Sequence, residues 1–149
     1  MTPNSKFSER TSVAAVINPT SQAPGTQSSG WISMSAFHQV AAILSVGAFG
    51  ASATVDAKFQ QATDTSGTGA KDISPAKAIT QLLAAGGNNR QVIVEVRDTE
   101  LDTANGFSCV QFSCTVATLA TLTSAVVLGT IAIFEPASVF NPAAVAQVV

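Results

Sequence analysis

The sequence predicts a mainly β fold, an antiparallel β-sandwich or barrel with one short α-helix and extended N- and C-terminal arms. Three observations predict it. Ala51, Ala53, Val55, Ala57 and Phe59 alternate with Ser52, Thr54, Asp56, Lys58 and Gln60, a period of two that only a half-buried strand needs. Further β-branched runs, "QVIVEVR", "CVQFSCTVAT" and "SAVVLGTIAIF", are bounded by turn signals such as Asn105-Gly106. At 149 residues, 46% of them hydrophobic, the chain is one domain's worth and can bury a core.

Taken in order, residues 1–30 hold Pro3, Pro19 and Pro24 and end in "SQAPGTQSSG". Only "SVAAVI" suits a short strand there, so this part reads as an extended arm packed on something else. Residues 31–135 form the β-rich body. Trp31, Met34 and Phe37 lead into a strand over Val40–Val46, which Gly47 and Gly50 turn into the alternating stretch as its hairpin partner. "TSGTGA" is a flexible loop. A helix near 75–85 follows, with Ser74 as N-cap, Pro75 in its first turn, Gly86 past its end and Ile79, Leu82 and Leu83 on one face.

The remaining strands complete the body. Val92, Val94 and Val96 oppose Ile93, Glu95 and Arg97. Val110, Phe112, Cys114 and Val116 share a face, and "SAVVLGTIAIF" reads as buried on both faces. Residues 136–149 are the C-terminal arm.

Charge is sparse and unevenly placed. Charged residues make up 11% of the chain, against about 25% in an ordinary domain. Twelve of the sixteen lie between Asp56 and Asp102, while Thr11–Val55, Thr103–Phe134 and Pro136–Val149 carry none. A dispersed monomer needs mixed charge over its surface, whereas interface cores are depleted of it. The bare tracts therefore predict cover by other chains. A net charge of −2 offers no field for nucleic acid. The apolar windows Val40–Val55 and Leu119–Phe134 fall short of the ~20 residues of a spanning helix, so no membrane partner is expected. The N-terminal segment makes a poor signal peptide, which points to a soluble protein made in the cytoplasm.

No grouping of side chains has the pattern of a catalytic, cofactor or metal site. Asp98, Glu100 and Asp102 begin like a calcium loop, but its sixth and twelfth positions are Thr103 and Cys109 where Gly and Glu are required. "GTGAKD" lacks the spacing of a phosphate loop. His38 is the single histidine, with no nucleophile elbow and no C-x-x-C pair to complete a dyad or a metal set. Cys109 and Cys114, five apart in one strand, point to opposite faces and read as buried free thiols. Trp31, Phe37 and Phe140 lack the interleaved cations that base stacking requires. With His38 and Pro142 they are the candidate interface residues.

The stretch "WISMSAFHQVAAILSVGAFGASATVDAKFQQATDTSGTGAKDISPAKAITQL" resembles a group of small virion structural proteins of tailed bacteriophages. The likeness rests on W-x-x-M-x-x-F-H at Trp31–His38, "ATVDAKFQQAT" through Thr63, "KDI" at Lys71–Ile73 and "KAITQL" at Lys77–Leu82. "ELDTANGFSCV" and "FNPA" continue it. The two cysteines and the apolar tail "AVAQVV" depart from that pattern. The resemblance implies a virion component without fixing its place in the particle; a capsid location, with the major capsid protein and copies of itself for partners, is the expectation, and closed symmetry favours a homotrimer. A cement (decoration) protein clamping neighbouring capsid subunits is the leading expectation. A neck, head–tail connector or tail component is the alternative within the particle, and a host-surface binding module the alternative outside that class.

Overall fold

The alternation at residues 53–59 becomes a strand with one dry face: Ala53, Val55, Ala57 and Phe59 are all buried, and the residues between them are only partly covered. The computed structural model describes residues 4–149 and repeats this pattern most clearly along β4 and β10. In chain order the elements are α1 (Phe7–Arg10), β1 (Thr11–Gln22), β2 (Gly25–Ser28), β3 (Ile32–Ser33), β4 (Phe37–Val46), β5 (Thr54–Ala62), β6 (Lys71–Asp72), β7 (Leu82–Leu83), α2 (Ala84–Gly87), β8 (Arg90–Arg97), β9 (Cys109–Ala117) and β10 (Thr121–Ala132).

The strands form two antiparallel sheets. One runs β1-β10-β4-β8; the other runs β2-β9-β5-β6, with β3 also on β9 and β7 also on β5. Their dry faces meet in one core. Val40, Leu44, Val96 and Val127 come from the first sheet, and Val55, Phe59, Phe112 and Val116 from the second. Phe59 and Phe112 are cross-strand partners whose rings meet edge-on at 5.2 Å, the arrangement aromatic quadrupoles favour. The mainly β, antiparallel sandwich is thus the fold.

Four expectations are corrected. The N-terminal arm of residues 1–30 is not free of the body: β1 pairs along β10, and β2 along β9 (residues 1–3 lie outside the described residues). Pro19 misled the reading because β1 is an edge strand, and its ladder shifts register between Ile17 and Thr20, where a missing N–H costs nothing. Gln22 then ties the sheets together. Its buried amide donates to the carbonyls of Gly25 and Cys114 at 2.9 and 3.1 Å and accepts from Thr123 Oγ1 at 2.8 Å.

The helix near 75–85 is absent. Lys77 and Ile79 bond to β5 instead, Phe59 N–H donating to Lys77 O and Ile79 N–H to Ala57 O, both at 2.9 Å. Pairing to an existing sheet overrides local helix propensity. Only the single turn α2 remains, with Gly86 in the left-handed conformation at φ +86°.

The expected hairpin of Val40–Val46 with the alternating stretch is also absent, because β4 and β5 belong to different sheets and residues 47–53 cross between them. Finally, β10 is buried on one face only: Thr121, Thr123, Ala125, Val127 and Gly129 point in, while Leu122 and Val126 stay 48% and 39% exposed.

At the C-terminal end, a 3₁₀ turn over Ala137–Phe140 folds back on the body. Phe140 stacks edge-on against buried Phe37 at 5.2 Å, and Asn141 Oδ1 accepts the Val13 N–H of β1 at 2.9 Å. Beyond that turn, residues 141–149 of the expected arm lie outside strand and helix.

Candidate interface

The two sheets present different surfaces to the outside. On the second sheet most outward positions are polar and bonded to one another, with Leu83 the large apolar exception. Lys58 Nζ and Gln60 Nε2 both donate to Asp72 Oδ1, at 2.8 and 2.9 Å; Gln81 donates to Asp56 at 2.7 Å, and Thr26 and Thr115 share a hydrogen bond of 2.7 Å. Nearby, Lys71 pairs with Asp102 at 2.6 Å while lying 4.1 Å above the Phe107 ring, and Lys77 pairs with Glu100. These hydrogen bonds hold the carboxyls of Asp72, Asp102 and Glu100 below the usual carboxylate range, the lysine partner being the main cause in each. Six of the twelve charged residues between Asp56 and Asp102 are consumed here, in three pairs.

The outward face of the first sheet has no such network. Val16, Val126, Ile43 and Ile93 are successive cross-strand partners, so one apolar row runs over all four strands. Ile93 is 64% exposed. The next row, Val13, Leu128 and Ala41, is apolar until it reaches Glu95. β1, β10 and β4 carry no Asp, Glu, Lys or Arg. Contiguous exposed apolar surface of this kind marks an interaction site.

The five residues picked from sequence scatter rather than converge. Phe37 is 2% exposed and belongs to the core, which corrects its assignment to an interface; a Cβ on Gly129 would lie 2.5 Å from its ring, so the strand behind it must be bare. Phe140 is the partly buried lid on Phe37, and Pro142, half-buried, accepts the Val145 N–H at 2.9 Å. Trp31 is half-buried with its indole against Gly67, where a Cβ would approach Nε1 to 2.7 Å. His38 alone is well exposed, and its Nδ1 sits 2.6 Å from Asp98 Oδ2. The row at Val16, Ile43, Val126 and Ile93 escaped because registry between distant strands cannot be read from spacing. Its one trace in the sequence is Ile93, an apolar residue out of phase with Val92, Val94 and Val96.

Cys109 and Cys114 are free and buried, on opposite sides of β9. Burial, with Asp56 nearby, pushes the Cys114 thiol up to about 11, so it stays protonated and unreactive at neutral pH. Among the described residues no group of three or more His, Cys, Asp and Glu side chains is gathered for a metal ion, and no helix is long and apolar enough to cross a membrane.

No protein-family model matches the chain, and no curated protein matches its sequence. Among solved structures it is similar to the SPBc2 prophage-derived protein YomS, with 10% identity and a TM-score of 0.46 over 80% of this chain and 93% of that one. A chain of Triatoma virus is similar at 10% identity and a TM-score of 0.47, covering 88% and 68%. A xylan-binding domain of Paenibacillus barcinonensis Xyn10C is similar at 9% identity and a TM-score of 0.43, covering 84% and 89%. At these values the likenesses assign no function.

Proposed function

We propose that this chain is a virion structural protein, and within the virion a capsid cement protein that clamps neighbouring major capsid subunits as a homotrimer. The observation that carries the reading is the apolar row Val16–Val126–Ile43–Ile93 on the outward face of a sheet whose first three strands lack ionised side chains. A face of that composition gains from being covered, at roughly 25 cal/mol per Å² of apolar area removed from water. The sequence resemblance to small virion proteins of tailed phages supports the kind of partner. Cement duty requires no active site; it needs a rigid body, a covered apolar face and many symmetry-related contacts that reinforce one another through effective concentration.

The test is a reconstruction of the virion. Density for this chain repeated over the outer shell, with the β1-β10-β4-β8 sheet turned toward capsid subunits, is the expected result. A single ring of copies at one vertex would assign it to the neck instead. Absence from the particle would overturn both.

A further inference from the structure

The two free edges of the first sheet are treated differently by the chain. β1 is closed at Val13 by Asn141 and covered by the Ala137–Phe140 turn. β8, at the other end of the sheet, is bare. Its Arg97 N–H points away from β4 and is met by Glu100 Oε2 at 2.8 Å. By alternation the main-chain groups of Gln91, Ile93 and Glu95 point the same way, and no described residue bonds to them. A groove runs along this edge, walled by Ala76, Ala78, Ile79 and Leu82 on one side and Val92 and Val94 on the other. Across it Ala78 also turns its N–H and C=O outward, since Lys77 and Ile79 make the bonds to β5. An unpaired edge of eight residues is a template for another strand.

Residues 143–149, "AAVAQVV", belong to no strand or helix and begin in a turn in which Pro142 O accepts the Val145 N–H at 2.9 Å. They are almost wholly exposed and uncharged, and they are β-branched at Val145, Val148 and Val149. At seven residues they fall one short of the eight of β8. In extended form Ala144, Ala146 and Val148 share a face of small side chains, and Gln147 falls on the other. The whole segment cannot lie along β8 of its own molecule. Asn141 is fixed at the β1 edge, and β8 is three strand spacings away, about 14 Å at ~4.8 Å each. Residue 143 reaches at most ~7 Å from residue 141.

We propose that residues 143–149 of one copy add as a strand to the free β8 edge of a second copy, filling the groove between β8 and residues 76–82. Donor and acceptor lie at opposite edges of the sheet, so the contact is head-to-tail and closes into a ring when its rotation permits. Main-chain hydrogen bonds supply the affinity and the small alternate side chains the fit. The inference deepens the self-association half of the proposed function by naming the segment and the edge that join copies.

The experiment mixes two purified full-length variants, Glu95→Cys and Gln147→Cys, under oxidising conditions. Disulfide-linked heterodimers are expected from the mixture and not from either variant alone, nor from a mixture of Gln147→Cys with Thr20→Cys on the β1 edge. In parallel, deletion of 143–149 is expected to reduce the solution mass to that of one chain at concentrations where the wild type assembles, with the thermal midpoint of the body unchanged. Ile93→Pro, which removes an outward N–H that the protein's own ladder does not use, is expected to do the same. A wild-type chain that remains monomeric, or a deletion variant that keeps the wild-type mass, overturns the proposal. Both measurements omit the shell. A chain that links head to tail but is missing from the capsid therefore sinks the cement reading alone. A chain that coats the capsid and keeps its oligomer without 143–149 sinks the strand exchange alone.

Discussion

The two sheets share a core and differ in what they show to the outside. The β2-β9-β5-β6 sheet presents Asp56, Lys58 and Gln60 opposite Thr115, Ser113 and Gln111, a face whose polar atoms are already bonded within the chain. The β1-β10-β4-β8 sheet presents Val16, Val126, Ile43 and Ile93. Water solvates the first face at little cost and the second only at a loss. The difference teaches that the low overall charge is not spread thin over the molecule. It is absent from β1, β10 and β4 and from residues 143–149 and concentrated elsewhere, with Glu95 and Arg97 at the β8 margin of the apolar face, which leaves a surface fit for a partner and a surface fit for solvent.

The sheets differ only in their outward faces, so their inward faces should behave alike. Phe112→Ala in the polar-faced sheet and Leu44→Ala in the apolar-faced sheet, both fully buried, are each expected to cost about 2–5 kcal/mol in denaturant unfolding. A large inequality between them would mean that the sheets do not share one core. Next in size, Gly129→Ala drives a methyl toward the Phe37 ring and is expected to lose about 1–3 kcal/mol. It should also loosen the Phe140 lid, detectable as faster proteolysis after residue 136.

The outward faces should then separate. Val126→Lys, in the middle of the apolar row, is expected to leave unfolding within about 0.5 kcal/mol of wild type while abolishing retention on the particle. Lys58→Ala on the polar face should leave both unchanged, because exposed ion pairs contribute only about 0–1 kcal/mol. Loss of particle binding by Lys58→Ala would reverse the assignment of faces.

The smallest effect is acid. Asp72, Glu100 and Asp102 have folded-state pKa values below their unfolded ones. Their contribution is therefore present above about pH 4.5, near the unfolded carboxylate values, and is lost as pH falls through the lowered folded values. A modest fall in melting temperature, confined to the range below about pH 4.5, is expected by calorimetry.

What the residues by themselves determined is the class of the fold and the character of its surface. The period-two alternation at Ala53–Phe59 and at Val110–Val116 needs nothing but a pleated backbone with one dry side, and both stretches became β5 and β9 as read. The charge-free tracts are likewise a property of composition, visible before any folding. The tertiary structure alone decided who pairs with whom. Val40–Val46 and Thr54–Ala62 are neighbours in sequence yet lie in different sheets, residues 77–79 gave up a helix for bonds to β5, and residues 11–28 joined the body despite their prolines. Pairing depends on contacts between residues far apart in the chain, which local propensity and spacing do not encode. The same holds for the apolar row, whose four members span Val16 to Val126 and exist as a surface only because four strands fall into register.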